Sequence, residues 1–403
     1  MKGALLELAA RGAQDINIIG NPQMSFFKAV HRRHTNFSRF ESNQIFNGGY
    51  GFGQKCVMTL EKRGDLLYRT MLVVKLPYTG NNDVSWINAI GNFMIKTATL
   101  KIGGEQICQM TGDYLDIYHR YSLELGHYSN YCSMVGRVTG FRQNTQPGPL
   151  TLFIPLPFWF CREFSQALPM ISLGYMDVTL EIEFRHLEEC LYSAGLRANL
   201  GTLVDLPSLN ISSCSVLSEY IYLDKYERTL FATKPDINYL IEQTFTMEFG
   251  VDTNDQSRNY SLVFSNPVKE LLWFYRSKYW EDRNRWDVYT VKIGPDEFAA
   301  LDTAGLLFNG LDRVSVMDAD YFRLVQPLYH HSGSGSGYVY FYSFSERVNK
   351  LQPMGAANFS CIDDARLLVN WKQYVTEGNL YVMAVNYNFL KIKKGMAGIL
   401  YSS

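Results

Sequence analysis

Charge of either sign is scarce in this 403-residue chain, and so is any long apolar run. Lysine plus arginine total 38 and aspartate plus glutamate 39, leaving a net charge of −1. Charged residues make up 19% of the chain, below the share of about 25% usual in globular proteins. A protein that coats nucleic acid directly needs a strong basic excess, so direct sequence-specific nucleic-acid binding is not expected. No window approaches the roughly 20 apolar residues of a membrane span. The opening segment MKGALLELAARGAQD is interrupted by Glu7 and Arg11 and is too short for a secretory signal. Seven cysteines, at 56, 108, 132, 161, 190, 214 and 361, are scattered and odd in number, and no two have CxxC spacing. This pattern points to buried, reduced thiols in a reducing compartment.

Motifs that carry chemistry are missing as well. HExxH, GxSxG, GxGxxG, Walker-type GKS/T and Cys/His ligand spacings are all absent from the sequence. His119 sits among tyrosines on a helical pattern and reads as a satisfied core or interface group. His330 and His331 are adjacent, so in a strand they would face opposite sides. Two acidic clusters, Asp318 with Asp320 and Asp363 with Asp364, fit oxygen-rich metal sites or turns in which Asp bonds its own backbone. Nothing singles out a carboxylate pair for glycoside hydrolysis. The N-x-S/T triplets at Asn36, Asn210, Asn259 and Asn358 mean little without a secretory route. No catalytic, cofactor-binding or metal residue is assigned, and no enzyme activity is expected.

The chain is rich in aromatics, with 27 Tyr and 25 Phe, and in period-two patterning. Met176–Phe184 alternates strictly, with Met176, Val178, Leu180, Ile182 and Phe184 on one face. Asn259–Phe264 alternates too. In Tyr338–Ser345 both faces are apolar, so both are expected to be covered. Further strands are expected over 54–62, 66–76, 93–102, 150–160, 214–224, 237–250, 268–276, 286–293, 366–376 and 380–393. One helix is expected over Thr111–Leu125, with Thr111 as N-cap, a stripe of Tyr114, Ile117, Tyr118, Tyr121 and Leu125, and Gly126 as the stop. A weaker helix is expected at Lys2–Ala10. Leu187–Leu209 reads as a long excursion, and Ser332–Gly337 (SGSGSG) as an exposed, mobile loop tip. The polar stretch Lys225–Asp236 marks a boundary between two halves of about 200 residues each, enough for one jelly roll apiece. No internal sequence repeat is detectable. A low-charge, tyrosine-rich all-β chain also fits large protein–protein contacts.

The segment Gly20–Phe37, GNPQMSFFKAVHRRHTNF, resembles the amino-terminal signature of the major capsid proteins of nucleocytoplasmic large DNA viruses, the iridovirus-like group. The same resemblance recurs in order at Ile154–Leu168, Asp236–Gln243, Leu307–His331, Leu351–Ile362 and Ala384–Tyr401. It implies an all-β fold of two consecutive eight-stranded jelly-roll barrels (a double jelly roll) with short helices in the loops. The expected layout is an N-terminal arm at 1–24, a first jelly roll at 25–228, a linker at 229–237 and a second jelly roll at 238–403. The resemblance further implies a homotrimer that forms pseudo-hexagonal capsomers of an icosahedral shell. Its partners would be neighbouring capsomers, minor capsid proteins and a nearby internal membrane. It would be located in the virion after assembly in the host cytoplasm. His31, Arg32, Arg33 and His34 are then candidate base and assembly contacts, and no cofactor is implied. The competing expectation, from the fold alone, is a cytoplasmic carbohydrate-binding jelly roll, because lectins use the same architecture.

Overall fold

The computed structural model describes the chain except for residues 1, 28, 30, 47, 82, 143–144, 194–199, 201–208, 235, 254, 334, 336 and 402–403. Most of the expected excursion at 187–209 lies outside the described residues. Two compact units emerge, Met1–Asn36 and Phe37–Ser403. The first holds helix α1 (Lys2–Ala9) and a single turn at Ile16–Ile19. Among its described residues, Leu5, Leu6, Ile18 and Phe26 are exposed, and Phe27 is 98% exposed.

The second unit contains two barrels with the same strand order. The strands of the first barrel are β1 (Phe37–Ile45), β2 (Lys55–Leu60), β3 (Leu66–Leu76), β4 (Ile95–Ile102), β5 (Glu105–Thr111), β6 (Leu150–Pro155), β7 (Val178–Phe184) and β8 (Ser213–Leu223). They form two antiparallel four-stranded sheets, β1-β8-β3-β6 and β2-β7-β4-β5. The strands of the second are β9 (Asp236–Val251), β10 (Ser257–Ser261), β11 (Pro267–Ser277), β12 (Leu301–Phe308), β13 (Leu311–Asp318), β14 (Val339–Ser343), β15 (Ala365–Trp371) and β16 (Gly378–Lys393). Their sheets run β9-β16-β11-β14 and β10-β15-β12-β13. Each order is the first barrel's order shifted by eight strands, so the duplication invisible in sequence is plain in topology. This is the double jelly roll.

Local chemistry explains the register. In β7, Val178, Leu180, Ile182 and Phe184 are buried, while the residues between them are half-exposed. The β4–β5 hairpin closes on Gly103-Gly104, both at positive φ, and β12–β13 closes on Asn309-Gly310, also both positive. A two-residue hairpin of this twist requires that backbone at both positions, which Gly and Asn tolerate.

The sheet β9-β16-β11-β14 is apolar on both faces. Leu271, Trp273 and Tyr275 point into the second barrel's core. Leu272 and Phe274 point out and join the core cluster of the first barrel. One sheet therefore serves as a wall shared by both barrels, and β14 is buried at every position, as the two-faced pattern of 338–345 predicts.

Several expectations need correction. The helix at 111–125 is two helices, α2 (Gly112–Ser122) and α3 (Leu125–Val135). Leu123 turns extended (ψ 139°) and breaks the run, so Gly126 lies inside α3, and Gly136, in the left-handed region (φ 70°), is the real stop. Helix α4 (Lys225–Thr233), not anticipated, forms in the polar boundary stretch, with the Asp224 side chain accepting from the Glu227 N–H at 3.0 Å. Only Val291–Ile293 of the expected strand at 286–293 is a strand. His330 and His331 close a short helix, Gln326–His330, instead of lying in a strand.

The Gly/Ser segment is not a free tip. Gly333 is buried, and its N–H donates to Tyr121 O at 2.8 Å. A Cβ at Gly335 would sit 2.3 Å from the Tyr121 ring. The glycines allow this close approach to α2. All seven cysteines are free, but Cys361 is exposed, because its tight turn buries Phe359 and turns the thiol outward.

Candidate functional site

Helix α2 is the part of the first barrel that packs on the shared wall. It follows β5 without a loop, and the Thr111 hydroxyl accepts from the Tyr114 N–H at 3.3 Å, satisfying one of the free donors of the first turn. Tyr114, Ile117 and Tyr121 lie against the outer face of the shared wall, where Leu272, Phe341 and Val385 meet them around a cavity of about 20 Å³. The Tyr121 and Phe341 ring centres are 4.5 Å apart.

Three buried ionic groups surround this apolar contact. In the first, Arg276 on β11 donates to Asp113 Oδ1 on α2 at 2.5 Å and to Trp286 O at 2.8 Å. Arg185 lies 3.5 Å from the other Asp113 oxygen and 4.3 Å from the Trp286 ring centre. Burial works against the charge on Arg276, but Asp113 more than reverses the effect and holds the guanidinium protonated. In the second, Asp116 accepts from Arg120 at 2.7 Å, from Asn92 at 3.0 Å, and from Arg137. Burial pushes the Asp116 carboxyl up, yet Arg137 and Arg120 pull it below its ordinary value. In the third, Glu242 on β9 is paired with Arg162 and Lys269. Lys269 also donates to Val348 O at 2.9 Å. Burial raises the Glu242 carboxyl, but its two cations leave it lowered. Burial lowers the Lys269 ammonium, and Glu242 only partly compensates.

Next to these, Glu270 Oε1 and His331 Nε2 are 2.6 Å apart. His119 is stacked 4.4 Å from Tyr131 and bonds Leu115 O through Nδ1 at 2.8 Å. Burial pushes its imidazole down to about 4. Burial also lifts the Cys108 and Cys161 thiols to about 12, so both are protonated at neutral pH. Each carboxylate of these three groups is held between two cations, and the pairs Arg276–Asp113 and Arg162–Glu242 cross the seam between the two barrels.

The seam was not anticipated from the sequence. A signal was present: Lys269, Glu270 and Arg276 interrupt a strand that is otherwise apolar on both faces. The residues that were anticipated, His31, Arg32, Arg33 and His34, are exposed in an irregular segment, with His34 Nδ1 2.8 Å from Thr35 O. The acidic clusters do turn and ion-pair work. Asp318 accepts from the Asp320 N–H at 2.8 Å, Asp320 pairs with Arg323, and Asp364 pairs with Arg366 at 2.9 Å. Among the described residues no group of three or more His, Cys, Asp or Glu converges as a metal site. None of the described helices is long and apolar enough to cross a membrane.

Comparison with known proteins agrees with this architecture. Residues 25–224 match the family described as major capsid protein N-terminus, and residues 227–398 match large eukaryotic DNA virus major capsid protein. The chain is 34% identical to the major capsid protein of Pyramimonas orientalis virus over 433 residues, covering all of both chains. The chain belongs to the major capsid protein family of large eukaryotic DNA viruses. A second relative in this capsid family, the major capsid protein of Paramecium bursaria Chlorella virus 1, is 31% identical over 456 residues, again across all of both chains. A quasi-atomic model of the PBCV-1 virus capsid superposes with a TM-score of 0.81 at 27% identity, over 94% of this chain and all of that one. The Faustovirus major capsid protein shares the fold at TM-score 0.77 and 12% identity, over 97% of this chain and 96% of the other.

Proposed function

We propose that the chain is the structural subunit of a virus shell, three copies forming one pseudo-hexagonal capsomer of an icosahedral capsid. The observation that carries this reading is the pair of barrels with one strand order, fixed side by side by a shared wall and a buried ionic seam. Three such chains around an axis present six equivalent barrels, the number a hexagonal tile needs. A closed ring of head-to-tail contacts is also the general solution for a stable homo-oligomer with unlike faces. The subunit is assigned no catalytic role. The layout adopted is an arm at 1–24, barrels at 25–228 and 238–403, and a linker at 229–237 that contains the end of α4.

The arm is assigned to contacts at the capsomer base. Leu5, Leu6, Ile18, Phe26 and Phe27 are exposed there, and exposed apolar side chains in such number mark a surface that a partner covers. Arg32 and Arg33, flanked by His31 and His34, add positive charge beside it. The partners assigned are neighbouring capsomers, minor capsid proteins and the nearby internal membrane, with assembly in the host cytoplasm.

Native mass spectrometry tests the assembly. The expected result is a trimer at three times 46.2 kDa, and a stable monomer at micromolar concentration overturns the reading. Deleting residues 1–18 tests the arm. Folded, soluble trimers that no longer assemble into shells are expected, whereas loss of the folded trimer would assign the arm to its own barrel.

A further inference from the structure

The connections at one end of the two barrels build a cleft that shell assembly does not explain. In the first barrel, β5 reaches β6 through α2 and α3. In the second, β11 reaches β12 through residues 278–300, and β13 reaches β14 through residues 319–338. The β5–β6 connection returns at Leu150, at the end of the sheet β1-β8-β3-β6 that also carries Ile45 and Lys75, opposite Phe37, where the arm enters. Asp113 at the start of α2 meets Arg276 near the close of β11, so the connections of both barrels gather at this one end. Among them lies a cavity of about 350 Å³, a size that suits a small molecule. Arg120, Tyr128 and Arg137 of the first barrel line it, together with Asp287, Glu297 and Tyr338 of the second.

Charge cancels on this wall. Two guanidiniums and two carboxylates line it, and each has a partner. Arg120 and Arg137 share Asp116. Asp287 accepts from Arg285 at 3.0 Å and from Asn88 at 2.9 Å, and Glu297 accepts from the Thr290 hydroxyl at 3.1 Å. Burial pushes the Asp287 carboxyl up, yet Arg285 pulls it below its ordinary value. An ion entering here would give up hydration without gaining a field of opposite sign. Phosphate, sulfate and metal ions are therefore poor occupants.

The wall offers hydrogen bonds and aromatic faces instead. Tyr128 and Tyr338 are half-buried, and each presents an apolar ring with a phenol at its tip. The Glu297 carboxylate is exposed. Arg137 Nε and the Tyr289 hydroxyl, on residues of the same wall, have no hydrogen-bond partner among the described residues. Neutral hydroxyl groups, which both donate and accept, match such a mixed wall. A sugar ring carries a rim of these hydroxyls around flat C–H faces.

We infer that this cleft binds a short neutral saccharide, with its C–H faces on Tyr128 and Tyr338 and its hydroxyls on Glu297 and the tyrosine phenols. If the arm marks the base of the capsomer, the cleft opens toward the outside of the shell, and its ligand is carbohydrate displayed there. That orientation rests on the function proposed above; the cleft and its ligand class do not.

Saturation-transfer NMR on the full chain tests the site, with maltose, cellobiose, lactose and chitobiose as neutral probes and a sulfated heparin disaccharide as the anionic one. At least one neutral disaccharide is expected to bind saturably, and the sulfated one is not. Glu297→Ala is expected to weaken that binding by about tenfold, as loss of a hydrogen bond to a charged group does. Thr139→Trp, at an exposed position on the cavity wall, is expected to abolish it by filling the cleft. The two variants are independent, so one that misfolds leaves the other to decide, and melting profiles identify it. Undiminished binding in folded variants overturns the site, as does the absence of saturable binding by every neutral probe. Preference for the sulfated disaccharide overturns the neutral chemistry. A parent chain that binds the sugar but stays monomeric removes the trimer and leaves the cleft standing.

Discussion

Arg276, near the C-terminal end of β11, holds Asp113 of the other barrel at 2.5 Å, with only 1% of its own side chain exposed. The contact joins residues 163 positions apart in sequence. Such a pair is weak proof of stability, since desolvating both ions offsets most of their attraction, but orphaning one partner is costly. Asp113→Asn is therefore expected to lower unfolding free energy by about 3–5 kcal/mol, read as a drop in denaturant midpoint. Changing both residues together, Asp113→Asn with Arg276→Met, should recover a large part of that loss. A double variant as unstable as the single would show that the pair is not coupled.

Burial holds the His119 imidazole down at about 4, against an ordinary value of about 6.5 in the unfolded chain. Between those two values the unfolded state binds the extra proton and the native state does not. Stability from this group is complete above about pH 6.5 and falls as the pH is lowered toward 4, by about 3 kcal/mol in total. His119→Gln is expected to be less stable than the parent at pH 7, with the gap closing as pH approaches 4. Parallel denaturation curves at pH 7, 5.5 and 4.5 check this, and a gap that stays constant removes the role assigned to His119.

Period two was the strongest sequence signal and located most strands well: β3 spans 66–76, as expected, and β8 and β16 fall within two residues of expectation at each end. Of the pair β4–β5 only β4 was expected, and of the pair β12–β13 neither strand was, although Gly103-Gly104 and Asn309-Gly310 are direct hairpin signals. Strand β13 was missed because both its faces are exposed, so it carries no inward–outward alternation. The seam was missed for a related reason: Arg276 and Asp113 meet only through tertiary packing, and a charged residue in an apolar strand does not reveal its partner. Composition alone reads a Gly/Ser run as a linker. Here a side chain at Gly335 would meet the Tyr121 ring, and one at Gly333 the backbone of residues 120–123.

Tyr121 lies between Phe341 and His331, with ring centres 4.5 and 5.8 Å away, and cannot move aside for a new side chain. A Cβ at Gly335 would come within 2.3 Å of that ring. Gly335→Val is expected to destabilise by about 1–3 kcal/mol through overpacking. Gly126→Ala, in α3 with no neighbour within 4 Å of the added carbon, is expected to stabilise by about 0.4–1 kcal/mol by restricting the unfolded chain. Melting temperatures of the two variants, measured at one protein concentration, should move in opposite directions. If Gly335→Val matches the parent, the segment does not pack on α2.

Glu242 pairs with both Arg162 and Lys269, one cation from each barrel. Neutralising it leaves two positive charges facing each other out of water. Arg162 cannot give up its proton, so the relief must come from Lys269, whose ammonium burial already disfavours. Glu242→Gln is therefore expected to cost about 3–5 kcal/mol at pH 7, and to do so with a new pH dependence. In the variant, Lys269 is driven neutral in the folded state while it remains charged in the unfolded state near pH 8. The unfolded state then binds the extra proton, so the variant's stability rises as pH increases toward the ordinary lysine value of about 10.4. Adding Lys269→Met to Glu242→Gln removes the titrating group, and both the rise with pH and part of the destabilisation should disappear with it. Unfolding curves from pH 7 to 9.5 for the parent, the single and the double variant decide the matter. A single variant whose stability is flat with pH would mean that Lys269 keeps its proton without Glu242, and that the charge balance across the seam is supplied elsewhere.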